Sequence, residues 1–141
     1  FQQMAGFECK PVSVEITYGL ERICMFTQQK KNVYELDWNN DGIKYHEVFH
    51  QSEIEFSKYN FEYADIDNLF KTFNIHEAEA SSLAQNNISL PAYDQCLKAS
   101  HIFNVLDARG AISVAERAEF ISRIRNIVKL VAEVWIKNQK V

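Results

Sequence analysis

The residue that most constrains this chain is Gly19, because it separates two different periodicities. Val12, Val14, Ile16 and Tyr18 alternate with Ser13, Glu15 and Thr17, the period of a strand. Leu20, Ile23, Cys24, Met25 and Phe26 follow with helical spacing. The spacing predicts a strand over 12–18 with its even-numbered, apolar face buried, a corner at Gly19, and a helix from Gly19 to about Gln29. The corner gives Gly19 a conformational reason to be glycine and lets backbone and ligand approach closely. Glu21-Arg22 open the helix. A guanidinium there suits phosphate oxygens, and the Glu15 carboxylate, with Thr17 on the same strand face, suits an ammonium group. One site would offer places for a polyphosphate and an amine.

The remainder reads as helix. Glycine and proline number only 4 and 2, which argues for few tight turns, and a hydrophobic content of 47% supports a packed core. Val33 to Trp38 and Ile43 to Tyr45 flank Asn39-Asn40-Asp41-Gly42 as a short hairpin or extended loop. Helices are expected over His46 to about Lys58, Ala64 to Ala84, and from around Pro91 to Leu106. Phe70, Phe73 and Leu83 would contribute to the core. Breaks fall at Gln85-Asn86-Asn87 and Gly110. Ser113-Val114-Ala115-Glu116 is a capping box for a last helix reaching about Asn138. Its apolar stripe is Phe120, Ile121, Ile124, Ile127, Val128, Val131 and Trp135, with Arg123 off the stripe and solvated. The fold class is α+β, with residues 1–40 in a sheet-containing part and 41–141 in a helical domain.

A net charge of −4 and a pI near 5.6 do not suit a protein that binds nucleic acid mainly by electrostatics. There is no run of about 18 apolar residues, so no membrane span is expected, and Phe1-Gln2-Gln3 does not open a signal peptide. Cys9, Cys24 and Cys96 lack metal or pairing spacing and read as free thiols of a reducing cytoplasm. His46-Glu47-Val48-Phe49-His50 is a literal H-E-x-x-H, in which two imidazoles on one helix face hold zinc in metallopeptidases. No Gly-x-x-His follows it, and the alternative reading is a helix start with ordinary histidines. Arg109, Arg117, Arg123, Arg125 and Lys129 place positive charge near the last helix, either facing RNA or an acidic partner, or simply solvated beside Glu116, Glu119 and Glu133. Arg109, in the Asp107-Ala108-Arg109-Gly110 break, is placed to tie down a turn.

Glu15-Ile16-Thr17-Tyr18-Gly19-Leu20-Glu21-Arg22 resembles motif 3 of the class II aminoacyl-tRNA synthetases. Together with Glu8-Cys9-Lys10-Pro11, Asn32-Val33-Tyr34, Tyr59-Asn60-Phe61-Glu62, Leu90-Pro91-Ala92-Tyr93 and Leu106-Asp107-Ala108-Arg109 through Val114, it resembles the bacterial glycyl-tRNA synthetase alpha subunit over nearly the whole chain. The resemblance implies the end of a class II antiparallel catalytic sheet with its motif 3 helix, followed by an α-helical bundle. It implies that motifs 1 and 2 lie upstream of Phe1, so that this chain is the C-terminal portion of a longer polypeptide and inactive alone. It implies glycine activation with ATP, then transfer to tRNA(Gly), by a cytoplasmic tetramer of two alpha and two beta subunits. Arg22 would be catalytic and bind ATP with Gly19 and Gln2; Glu15 and Thr17 would bind glycine. Magnesium is implied, but Gln2 and Gln3 stand where many class II enzymes carry acids. Glu8 is the nearest carboxylate, and no metal ligand is assigned. A reading from another class is a non-catalytic helical module that docks the beta subunit.

Overall fold

The computed structural model describes residues 1–139. Its sheet is only a hairpin. β1 (Gln3–Met4) pairs antiparallel with β2 (Phe7–Glu8), with Gln3 opposite Glu8. Ala5 and Gly6 both have positive φ, 51° and 85°, as a two-residue primed turn requires. The expected strand over 12–18 does not form. Ser13 N–H reaches the Phe1 carbonyl at 3.4 Å, but no backbone hydrogen bond engages 14–18 among the described residues. Its expected buried face is open as well, with Val14 86% exposed. The alternation supplies an apolar face, but a strand exists through pairing, and beyond the contact of Ser13 with Phe1 no described segment bonds to this one through its backbone.

α1 (Leu20–Thr27) is tethered through its end. Gln28, which follows it, brackets Asp37: its amide donates to the Asp37 carbonyl (3.1 Å) and accepts from the Asp37 N–H (2.8 Å). Between them lies a 3₁₀ turn, Val33–Glu35, capped by Asn32, whose side-chain oxygen accepts from Tyr34 N–H at 3.0 Å. The short hairpin or extended loop expected over 33–45 is a loop closed by a single bridge, Asp37 with Lys44. Asn39 holds its loop by accepting from the N–H groups of Asp41 (3.1 Å) and Ile43 (3.2 Å). Gly42, at φ 91°, occupies a conformation that a side chain would strain.

α2 (Tyr45–Lys58) runs directly into a π turn, Tyr59–Tyr63. α3 (Ile66–Gln85) starts at Asp65, whose carboxylate accepts from Asn68 N–H at 2.7 Å. It stops where Asn87 turns to φ 61°. α4 (Ser89–Ala108) carries Pro91 in its first turn, where the lost N–H would have had no helical partner. Gly110, at φ 62°, ends the connection to α5 (Val114–Asn138). Ser113 and Glu116 form the expected capping box, with Ser113 accepting from Glu116 N–H at 3.2 Å and Glu116 from Ser113 N–H at 2.7 Å. No helix among the described residues is long and apolar enough to cross a membrane.

The core belongs to α3, α4 and α5. Leu69, Phe73, Ala80, Ala92, Cys96, Ala99, Phe103, Leu106, Phe120, Ile127 and Val131 are buried in it, with Phe70 and Leu83 partly buried against them. Small residues, Ala80, Ala84, Ala92 and Ala99, let the helices approach closely, and the large rings fill the space between them. Phe120 meets Phe73 edge-on at 4.6 Å and packs against Phe70 and Phe103 at 5.9 and 6.2 Å. Arg109 ties the bundle to the chain entering it by donating to the Ala64 carbonyl at 2.8 Å. Asn138 fastens the other end by donating to the Asn87 carbonyl at 3.0 Å.

Two expectations for α5 fail. Trp135 lies beyond the packed stripe and is 47% exposed. Arg123 is only partly solvated. Its guanidinium lies 4.6 Å from the centroid of Phe73 and 5.1 Å from that of Phe120. It donates to Glu77 through both Nε (2.9 Å) and Nη2, and to Asn74 Oδ1 at 2.6 Å. Sequence position off the stripe did not reveal this, because a long stem reaches back over the aromatic rim.

Removing the Arg123 head should cost about 2 kcal/mol, since it leaves Glu77 without its ion pair and strips a cation from two ring faces. Arg123→Lys should recover under half of that loss, because an ammonium cannot copy the two-pronged contact. Urea unfolding of both variants measures it. The capping box predicts a pH signature. Bonds from Ser113 backbone and side chain hold the Glu116 carboxyl below its ordinary value of 4.5. The folded state therefore binds its proton less readily than the unfolded chain. That stabilisation is complete above the unfolded value and fades as pH falls through the lowered one. Ser113→Ala should cost about 1 kcal/mol at pH 7, and the gap between wild type and Glu116→Gln should close under acid, read from denaturant midpoints.

Candidate functional site

The residues singled out in the sequence lie on the segment before α1 and in its first turn. Glu15 and Thr17 meet as expected for neighbours on one extended face: the Thr17 hydroxyl donates to the Glu15 carboxylate. Gly19 is the N-cap of α1, and its carbonyl accepts from Ile23 N–H at 3.2 Å. Arg22 lies one turn on, exposed, with its Cγ 3.8 Å from where a Gly19 Cβ would stand. It makes no salt bridge among the described residues, which leaves the cation available.

The conformational reason for glycine at 19 is not there. Its φ and ψ are −78° and 109°, open to any L-residue, and an added Cβ would meet only the Arg22 stem at ordinary contact distance. Within the described chain, nothing requires the missing side chain.

Gln2 is set apart. It lines a hollow of about 440 Å³ with Gln3, Glu8, Cys9, Lys10, Pro11 and Val12, and its carbonyl accepts from Cys9 N–H at 2.8 Å. Glu15, Thr17, Gly19 and Arg22 do not line it. The structure therefore brings together two pairs, Glu15 with Thr17 and Gly19 with Arg22, and leaves Gln2 outside both. Glu8 is the carboxylate of that hollow, and Lys10 pairs with it at 3.5 Å. No group of three His, Cys, Asp or Glu side chains gathers among the described residues.

What positions Arg22 is the docking of α1, which the sequence did not reveal. Besides the Gln28–Asp37 bracket, the Tyr45 hydroxyl points at Glu21 Oε1, 3.4 Å away. Partial burial, then the Glu21 charge, push the Tyr45 phenol above its ordinary pKa. The Lys44 ammonium, hydrogen-bonded to Asp37, holds that carboxyl below its ordinary value. Leu20, Cys24, Leu36, Trp38, Tyr45 and Phe49 line a mostly apolar hollow of about 330 Å³ between α1 and α2. Aromatic alternation around Trp38 and Tyr45 was the available signal. Gln28 carried none, since an amide bracket depends on where two distant segments meet.

The H-E-x-x-H residues have structural tasks. Glu47 accepts from Lys44 N–H at 2.8 Å and so caps α2. His46 Nδ1 donates to the Tyr34 carbonyl at 3.2 Å, and the His50 ring lies 4.4 Å from that of Tyr34. Both imidazoles pack α2 onto the 3₁₀ turn. Cys9, Cys24 and Cys96 are free thiols, and burial pushes the Cys96 thiol up to about 11.

The family described as "Glycyl-tRNA synthetase alpha subunit" matches residues 1–140, so the chain belongs to that family of aminoacyl-tRNA synthetase subunits.

The backbone at Gly19 predicts that Gly19→Ala folds. Its stability should stay within about 1 kcal/mol of wild type, the cost of alanine at an N-cap. Thermal unfolding followed by circular dichroism measures it, and a collapse of the fold would restore the conformational reason for glycine.

Proposed function

We propose that this chain contributes the phosphate- and amine-binding residues of a glycine–tRNA ligase. The observation that carries this reading is Arg22, an exposed guanidinium at the head of a tethered helix with no salt bridge among the described residues, in a chain of the glycyl-tRNA synthetase alpha subunit family. In the reaction an oxygen of the glycine carboxylate attacks the α-phosphorus of ATP. The bond to the bridging oxygen breaks, pyrophosphate leaves, and the adenylate passes glycine to the terminal adenosine of tRNA(Gly). No side-chain nucleophile is needed; the protein supplies position and charge. Arg22 neutralises phosphate charge as pyrophosphate departs. The Glu15 carboxylate holds the ammonium of glycine, with Thr17 narrowing the space beside it. Glycine offers no side chain to grip, so selectivity rests on excluding larger amino acids. Gly19 keeps the approach to the nucleotide clear, which agrees with a backbone that does not itself demand glycine. Gln2 faces the nucleotide from the hairpin.

The reading extends to a cytoplasmic assembly of two alpha and two beta subunits, the beta chain carrying much of the tRNA recognition. It also holds that residues 1–141 alone do not activate glycine: the proposed site residues lie on open surface and no described element walls them in.

ATP–pyrophosphate exchange by the full native reading frame tests this, with glycine and alanine compared. Exchange should need glycine and fall on the order of 10²-fold in Arg22→Ala, the usual loss for a group that meets charge developing in the transition state. Glu15→Ala should raise KM for glycine more than that for ATP. Absence of exchange with the beta subunit present would favour the helical docking module instead. Glycine-dependent turnover by residues 1–141 alone would contradict the claim of inactivity.

A further inference from the structure

Arg22 can neutralise phosphate charge only from a fixed place, and α1 has little of its own to fix it. Eight residues are too few for a helix to persist alone in water. None of its side chains is buried, and Gly19 brings no side-chain cap. Leu20 and Phe26 are largely exposed. The space toward α2 is the hollow of about 330 Å³, so packing there leaves room for a tilt.

Gln28 supplies the constraint. Its backbone N–H closes α1 on the Cys24 carbonyl at 2.8 Å, so its side chain moves with the helix end. Its amide engages both backbone groups of Asp37, donating to the carbonyl and accepting from the N–H. Two parallel bonds to one residue fix a direction that a single bond leaves free. Only an amide carries a donor and an acceptor on one end, and asparagine is a methylene shorter. The anchor is firm. Leu36 beside it is buried, Asp37 bridges to Lys44, and the Trp38 and Tyr45 N–H groups donate to the Ile43 and Leu36 carbonyls, each at 2.8 Å. The Tyr45 hydroxyl on Glu21 is a single contact and spans 3.4 Å. Arg22 precedes Gln28 by six residues, about 9 Å along the helix axis. A tilt of about 10° at the bracket would swing Arg22 by about 1.5 Å, and a misplacement of about 1 Å can cost about 10²-fold in rate.

We propose that Gln28 is a positioning residue for the phosphate step and acts on it only through Arg22. The inference rests on Arg22 being the phosphate-binding group.

ATP–pyrophosphate exchange by the full native reading frame, with the beta subunit present, tests it through Gln28→Met, which keeps the stem and loses both bonds. The kcat should fall about tenfold. KM for glycine should stay within about twofold of wild type, because Glu15 and Thr17 lie before the helix. In an Arg22→Ala background the same substitution should change exchange by less than about twofold, since its effect has no other route. Gln28→Asn, which keeps the amide but falls short of Asp37, should repeat the pattern, and circular dichroism at the assay temperature confirms that each variant is folded. A bracket that served folding alone would lower the unfolding temperature and leave the kcat of the folded enzyme untouched. Unchanged kcat in the folded Gln28 variants, or the full loss recurring in the Arg22→Ala background, would overturn the inference and leave the role of Arg22 standing. Wild-type exchange in Arg22→Ala would overturn both.

Discussion

The helical half of the molecule depends on one ring. Phe120 meets Phe70, Phe73 and Phe103 and so touches all the helices of the bundle, since those rings come from α3 and α4 and Phe120 from α5. Arg123 lies one turn further along α5 and covers Phe73 and Phe120 itself, which fixes α5 in rotation as well as in distance. Its bond to Glu77 then sets α5 in register along α3. Apolar packing decides that the helices associate. The guanidinium, able to satisfy a carboxylate, an amide oxygen and two ring faces together, decides the one arrangement in which they do.

Before residue 64 the balance differs. Leu36 is the one buried side chain among the first 63 residues, and the core begins at Ala64. The front half is therefore held by half-exposed aromatic contacts among Tyr34, Trp38, Tyr45 and Phe49 and by polar brackets: Gln28 on Asp37, Asn39 on its own loop, Glu47 on Lys44. Each such bond contributes little net, because water competes for the same groups. A segment held this way keeps its local shape while leaving its apolar surface, Val12 to Tyr18 with Leu20 and Phe26, uncovered. The proposed site residues stand on this half.

What the sequence revealed follows from locality. Ser113 with Glu116, Asn87 and Gly110 are signals whose partners lie within four residues, and they mark the helix ends where the structure has them. The stripe from Phe120 to Val131 was legible because 3.6-residue periodicity is also local. The strand over 12–18 was misread for the converse reason: alternation records a face, whereas a strand needs a neighbour. Arg123 was misread because stripe membership is assigned at Cα, while a six-bond side chain chooses its surroundings well away from there. Of the site, the shared face of Glu15 and Thr17 was legible. The bracket that holds α1 was not, because nothing near Gln28 announces Asp37.

Glycine 19 and the H-E-x-x-H run show the two directions in which a motif can mislead. In the run, every residue of the pattern has a structural partner within the chain, so the pattern is accounted for without a ligand. At Gly19 the reverse holds. Its backbone accepts any residue, its absent side chain would strike nothing, and the helix it caps would form without it. A residue whose special property serves no neighbour inside the molecule is better explained by something that arrives from outside. The same test applies to Arg22, whose cation has no salt bridge among the described residues, on a helix whose position two separate segments maintain. Motif resemblance nominated both positions. What the fold does not need from them is the stronger physical argument, because it would hold for a chain with no relatives at all.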